Sequence, residues 1–278
     1  MEEQEYIKGM LNRTSLFIDD FSMNKIRNTT FAISGLGGVG AITAELFARW
    51  GVKKFRLLDM DKYEVTNLNR QLFATSKTLG KYKVDITAER IKEINPYAEI
   101  EIKITDRVTN SNIDKFSEGA DIMIQSADYP SCKLFYLAAQ KRKIPLVNGY
   151  ANISGGRVQS FDYRYSECES FLEKIWRKFK YKNVKPITEM TEDELIEFDN
   201  KFVHQTSGSL NFVTNMVGCL IVSEAIKLII GKGKAVKYPK YLNFELYDNK
   251  MQIKNSTSFL NKDIYRKIFE YIKSKASL

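Results

Sequence analysis

The stretch "ISGLGGVG", residues 33–40, constrains the fold of this chain more than any other. It follows the β-branched and apolar run "TTFAISG" and precedes "AITAELFARWG", whose apolar residues recur at helical spacing and which closes on Gly51. Strand, glycine turn and helix together make a phosphate-binding unit. Gly35, Gly37 and Gly40 satisfy G-x-G-x-x-G where the turn must be tight, the backbone must approach a ligand, and the helix N-terminus favours negative charge. Asp59 ends the next strand, "KKFRLLDMD", about twenty residues on, where a carboxylate accepts hydrogen bonds from ribose hydroxyls. These features suit NAD, FAD and ATP equally.

The alternation continues. "GKYKVDITAERIKEINP" sets Val84, Ala88, Ile91 and Ile94 on one helical stripe ended by Asn95-Pro96, and "IEIKI" alternates as a strand. "ADIMIQSAD", a helix over residues 131–142 and the strand "IPLVNGYA" follow. Strands alternating with helices predict an α/β fold, a doubly wound, mostly parallel, Rossmann-like sheet covered on both faces. Within a single domain spanning 1–278, residues 1–28 read as a helical arm and 29–150 as the nucleotide-binding core. Residues 151–278 read as a substrate-side and dimer extension of strands and helices. There "GGRVQSFDYRYS" is a strand, and residues 172–205, charged and weakly patterned, read as a mobile loop or a substrate-contact insert. "NFVTNMVGCLIVSEAIKLIIG" predicts a long apolar helix capped by Gly231; a strand pair near "YLNFELYDNKMQIKN" and an amphipathic helix from about residue 257 close the chain.

Composition narrows the setting. No apolar run is expected to reach the roughly 18 residues a membrane span needs, and "MEEQEYIKGM" is not a basic-then-apolar signal, so no membrane role and a cytoplasmic location are expected. Three unpaired cysteines fit a reducing compartment. The net charge of +9 would suit an anionic partner, although stretches such as "KDIYRKIFEYIKSK" interleave charges as a solvated helix face does.

The cluster around the nucleotide separates the candidates. Hydride transfer has no need of Asn, Arg, Gln, Lys and Asp together; nucleotidyl transfer has. When a carboxylate attacks the α-phosphorus of ATP, two anions meet and pyrophosphate departs, so cations must neutralise the charge in place. Arg70 and Lys83 are suitable cations, and Asp128, at a strand's C-terminal end, is suited to hold magnesium. Alone, Lys83 would read as a solvated residue on an amphipathic helix.

From Arg13 to about Gly231 the chain resembles the ThiF/MoeB-type adenylating enzymes, relatives of the ubiquitin-activating enzymes. The resemblance rests on the turn of Gly35, Gly37, Gly38 and Gly40, on Asp59-x-Asp61, on Asn67-x-x-Arg70-Gln71, and on Lys83 and Asp128. It implies ATP and Mg2+ as cofactors and a nucleotide site of these residues. Asp59 would hold the ribose, with Asp61 in the same nucleotide-binding set. Asn67, Arg70, Gln71 and Lys83 would contact the triphosphate, and Asp128 would organise magnesium and the attacked phosphate. Arg13 resembles the N-terminal arginine that reaches into the partner protomer's ATP site, which implies a homodimer with composite sites; the usual Arg-Gln pair reads Arg13-Thr14 here.

Many relatives carry a structural zinc on two C-x-x-C pairs. Here Cys168 is followed by Phe171 where the second thiol would stand, and no second pair exists, so no zinc is expected. Cys168 is the sole thiol near the position that sulfur-transferring relatives use, while Cys132 and Cys219 read as packing residues in helical patterns and His204 as a loop residue. The expected activity is ATP-dependent adenylation of a carboxylate on a peptide or small protein, in the branch that matures peptide natural products of the microcin C and pantocin kind. One alternative is the dehydratase that cyclises threonylcarbamoyladenosine on tRNA, disfavoured because its extra length before the last long helix is expected to be missing. The others are sulfur-carrier activation for thiamin or molybdopterin, a regulatory subunit without adenylation, and an NAD-dependent dehydrogenase.

Overall fold

The computed structural model describes residues 1–170, 174, 185–202 and 208–257. Its strands are β1 (Thr30–Ser34), β2 (Lys54–Leu58), β3 (Glu99–Ile104), β4 (Ile122–Gln125), β5 (Pro145–Ala151), β6 (Gly155–Asp162), β7 (Lys240–Glu245) and β8 (Lys250–Asn255). They form one sheet in the order β3-β2-β1-β4-β5-β6-β7-β8. β3 through β5 of that order are parallel, and β6, β7 and β8 join antiparallel.

The central strands β1, "TFAIS", and β4, "IMIQ", are buried along their whole length, as strands covered on both faces must be. Alternation divides their side chains between two cores. Phe31 and Ile33 of β1 point to the face covered by α3 (Gly40–Arg49), α4 (Lys83–Ile94) and α8 (Asn211–Ile230), while Ala32 and Met123 point to the face covered by α5 (Ile113–Ser117) and α6 (Lys133–Arg142). Strand order reverses beside β1, whose neighbours are β2 and β4, and a crevice therefore opens at the C-terminal ends of β1 and β4. Gly35 lies on one side of it and the loop bearing Asp128 on the other.

The arm is helical, as expected: α1 (Glu3–Met10) and α2 (Asp20–Arg27) flank a single 3-10 turn, Thr14–Leu16. Tyr6 Oη donates to Ile94 O at 2.8 Å, and Ile7, Met10 and Leu11 lie around Gly51. These contacts dock the arm on the C-terminal ends of α3 and α4, near where β1 and β2 begin and so at the end of the sheet opposite the crevice.

Three expectations are corrected. Within 172–205, residues Glu192–Phe202 form a helix, α7, rather than loop, because Leu195 and Asp199, one turn apart, are both buried beneath it. Helix α8 has the length and apolarity of a membrane span, contrary to the expectation that no run approaches it. Its apolar residues are instead used twice, packing on β5 and β6 and on α2 and α3. Gly231 ends it at φ 70°, as expected. Cys219, on α8, is exposed rather than packed. Phe171, His204 and the amphipathic helix expected from residue 257 lie outside the described residues.

Candidate active site

The glycine turn divides its labour. Gly35 sits at φ +77°, and a Cβ there would stand 2.5 Å from Ala127 N; a Cβ on Gly40 would lie 1.7 Å from Gly35 O. These two glycines let the turn fold against the β4 loop and onto itself. Gly37 has more room, its nearest neighbour being Gln71 Nε2 at 3.5 Å from a Cβ, while Gly38 lies close against Thr214 at 3.1 Å and Arg70 O at 3.2 Å.

Asp59 ends β2 almost fully buried. Its Oδ1 accepts from Asp61 N–H at 2.8 Å and its Oδ2 from Leu36 N–H, so the carboxylate ties the glycine turn to the second strand. Burial pushes its pKa up, with Asp61's charge adding to the rise, while the Lys83 charge and the two backbone donors oppose it. Lys83 is the first residue of α4 and is itself buried; its Nζ lies 2.8 Å from Asp61 Oδ2 and its N–H donates to Asp61 O at 3.0 Å. The helix start carrying Lys83 is thus pinned to the strand end carrying the two acids.

Asn67, Arg70 and Gln71 sit on a 3-10 turn, Val65–Asn67, and the residues after it. Asn67 is buried and closes the turn by accepting from Glu64 N–H at 3.1 Å. Arg70 Nη1 donates to Thr66 O at 2.8 Å and to Asn69 Oδ1 at 2.9 Å. Gln71 is buried, and its Oε1 has no hydrogen-bond partner among the described residues, although the side chain lies beside Gly37. Gln71 Oε1 is thus a buried acceptor that lacks a donor among the described residues.

Asp128 is exposed three residues past β4. Its loop is joined to the glycine turn by Ser126, whose Oγ donates to Gly35 O at 2.8 Å and whose N–H donates to Ser34 O at 3.0 Å. Residue by residue, then, the fold gathers Gly37, Asp59, Asp61, Gln71 and Lys83 at the crevice, with Asp128 across it. Arg13 stays apart: it is exposed two residues beyond Leu11, on the arm docked at the end of the sheet opposite the crevice.

Sequence reasoning did not single out the contacts around Tyr129. Arg107 stacks over the Tyr129 ring at 4.9 Å and pairs with buried Asp199 of α7, which also accepts from Ser131 N–H and Ser131 Oγ at 2.7 Å each. Burial raises the Tyr129 pKa, and the charges of Asp61, Asp59 and Asp199 raise it further. The sequence does carry a trace of this cluster, an acid in the apolar stripe of Leu195 and Phe198, since an acid on a buried face needs a partner. Cys168 sits beside Ser166, Sγ 3.2 Å from Oγ, with its thiol pKa raised by burial, which is not the setting of an activated nucleophile.

A doubly wound sheet with a glycine turn, a buried acid and a buried lysine at its switch point defines a nucleotide-binding α/β protein. Residues 11–262 match the ThiF family, and the chain belongs to it. Members of that family are adenylating enzymes that use ATP and Mg2+. The chain is 33% identical over 179 residues to a tRNA threonylcarbamoyladenosine dehydratase of Bacillus subtilis, covering 63% of this chain and 70% of that one. Two further dehydratases of that name are matched over 46% and 52% of their lengths. Among solved structures, that of Escherichia coli MccB with ATP superposes at a TM-score of 0.70 with 18% identity, covering 90% of this chain and 72% of that one, a likeness of fold. The E. coli dehydratase TcdA superposes at 0.61 with 26% identity, covering 81% of this chain and 95% of that one.

The residues present fit both groups the family uses. The Lys83 ammonium and the Arg70 guanidinium suit a phosphate chain, Gln71 Oε1 suits a ligand group that donates a hydrogen bond, Asp59 suits a ribose, and the Asp128 carboxylate is a hard oxygen donor of the kind magnesium takes.

Proposed function

We propose that this chain transfers the adenylyl group of ATP to a carboxylate on a peptide or small protein. The carboxylate oxygen forms a bond to the α-phosphorus, the bond from that phosphorus to the bridging oxygen breaks, and pyrophosphate leaves with the electron pair. The observation that carries the reading is a fixed, buried cation: Lys83, held on Asp61 beside the glycine turn. Such a cation stabilises the charge of the transferring group without reorganisation at the moment of reaction. Arg70 would add a second positive charge from the turn above, and Asn67 and Gln71 would orient the phosphates. Asp59 would accept from the ribose hydroxyls. Asp128 would hold magnesium, which supplies charge neutralisation at the phosphates. Arg13 would act in the partner protomer of a homodimer, since its own crevice lies at the other end of the strands from the arm. The fold likeness to MccB, solved with ATP and with MccA, supports a peptide substrate and a place in the maturation of a peptide natural product.

A second reading is favoured by a specific observation. The dehydratase relatives match this chain at 33–38% identity, well above the identity to MccB, and the net charge of +9 suits tRNA. On that reading the activated carboxylate belongs to the threonylcarbamoyl group of tRNA and is captured within the same group.

ATP–pyrophosphate exchange separates these. Short peptides encoded near the gene, carriers ending in Gly-Gly, and threonylcarbamoyladenosine-bearing tRNA are each offered as substrate. Exchange with peptides alone supports the first reading, and exchange or cyclisation with tRNA alone replaces it by the second. Exchange with none, in protein that binds MgATP, removes the adenylation reading for all three classes.

A further inference from the structure

The loop bearing Asp128 is held at two points. At its start Ser126 is bonded to the glycine turn, and Gln125 Nε2 donates to Ala127 O at 2.7 Å. At its end both the N–H and the hydroxyl of Ser131 bond to Asp199, a side chain 1% exposed on α7. Between these anchors lie Asp128, Tyr129 and Pro130. Arg107, arriving from the end of β3, neutralises Asp199 and covers the Tyr129 ring, so the acid, the guanidinium and the ring close around the loop.

This arrangement costs desolvation of a carboxylate, yet among the described residues Asp199, Arg107 and Tyr129 make no hydrogen bond to the glycine turn or to the Asp59 carboxylate. Packing alone would be served as well by an apolar residue at 199, in line with Leu195 and Phe198. What an acid adds is direction: two bonds to one serine fix both the backbone and the side chain at the end of a short loop, as an orienting partner does for a metal ligand. The acid also comes from a separate stretch of chain, 68 residues away, on the substrate-side extension.

We propose that Asp199 is a positioning residue: by clamping Ser131 it sets where Asp128 presents its carboxylate, and so links the placement of α7 to the magnesium-dependent part of nucleotide binding. The inference rests on the proposed role of Asp128 with MgATP.

Two measurements test it. ATP affinity is determined with Mg2+ and with EDTA for the full chain and for Asp128→Asn, Asp199→Asn, Ser131→Ala and the double variant Asp128→Asn/Asp199→Asn. Hydrogen exchange is followed in parallel over residues 126–133. The expected result is that Asp199→Asn lowers the gain in affinity conferred by Mg2+ about tenfold while affinity in EDTA stays within about twofold. Ser131→Ala, which removes one bond and keeps the other, produces a smaller loss of the same kind. The double variant loses no more than Asp128→Asn alone, and exchange over 126–133 rises in Asp199→Asn. A full Mg2+ gain in Asp199→Asn overturns the proposal, as does an equal loss with and without the metal, which a merely structural role would cause. If the unaltered chain binds no MgATP, the adenylation reading falls; exchange then decides the clamp alone, a rise supporting it and no change overturning it.

Discussion

The Lys83 ammonium lies 2.8 Å from Asp61 Oδ2, and Lys83 is buried while Asp61 is half exposed. The lysine is therefore held by an acid that water can reach, an arrangement in which an arriving phosphate can compete for the cation while Asp61 returns to solvent. Lys83→Met should lower ATP–pyrophosphate exchange about a hundredfold or more. Because Asp61 is rehydrated, the melting temperature should move by no more than about 4 °C. A variant that keeps full exchange would remove Lys83 from the reaction.

Gly40 and Gly37 should separate folding from binding. Alanine at 40 puts a Cβ 1.7 Å from Gly35 O, and the turn has to break, at a cost of about 3 kcal/mol or more. Alanine at 37 meets nothing closer than Gln71 Nε2 at 3.5 Å, an ordinary contact. Gly40→Ala should be poorly soluble or melt well below the unaltered chain. Gly37→Ala should melt normally and bind MgATP about tenfold more weakly; equal melting losses in both would contradict this division.

Asp59 predicts a pH dependence whose sign follows from burial. Its folded-state pKa is raised, so its ionised form is disfavoured by folding, and stability from this group is lost as pH rises from the ordinary carboxylate range through the raised value. Ribose binding has the opposite dependence, because the ionised oxygens are the stronger acceptors. Adenosine, which carries no phosphate to titrate, should bind more weakly as pH falls through that window, while the apoprotein is stabilised there by its Asp59 contribution. Isothermal titration with adenosine between pH 4 and 7, with Asp59→Asn as the comparison, measures it; a pH-independent affinity would exclude Asp59 from the ribose contact.

Leu16, Phe17 and Phe21 are 82%, 89% and 80% exposed beside Arg13 on the arm. Three large apolar side chains in water next to a cation proposed to act in a partner protomer lead to a paired expectation. Phe17→Asp together with Phe21→Asp should yield monomers by light scattering and abolish exchange. Arg13→Ala should remain dimeric and lose exchange alone. A monomeric unaltered chain with full exchange would end the composite-site reading.

The three thiols rank by environment. Burial pushes Cys132 up to about 12, raises half-buried Cys168, and raises exposed Cys219 as well, without shielding it. Iodoacetamide near neutral pH should modify Cys219 first, Cys168 slowly and Cys132 only after unfolding. Cys168→Ala should retain exchange.

Much of the molecule was legible in the chain, and for a common reason. Each β-branched run and each helical stripe in residues 29–150 encodes its own burial, so "TTFAISG", "ADIMIQSAD" and the stripe Val84, Ala88, Ile91, Ile94 became β1, β4 and α4. The glycine turn and the acid after β2 needed no tertiary information either, because a tight strand-to-helix turn and a strand end are local features. Tertiary structure alone decided which glycines of the turn meet backbone where a Cβ would stand and which have room for one. It also decided that Asp61 would hold Lys83 from 22 residues away and that Asp199 would grip Ser131 from 68. Helix α8 shows the same limit, since its nearly uniform apolarity has no periodic face from which to tell what it packs against. Periodicity in a sequence records which way a side chain points relative to its own element; it holds no record of what the rest of the chain brings to meet it.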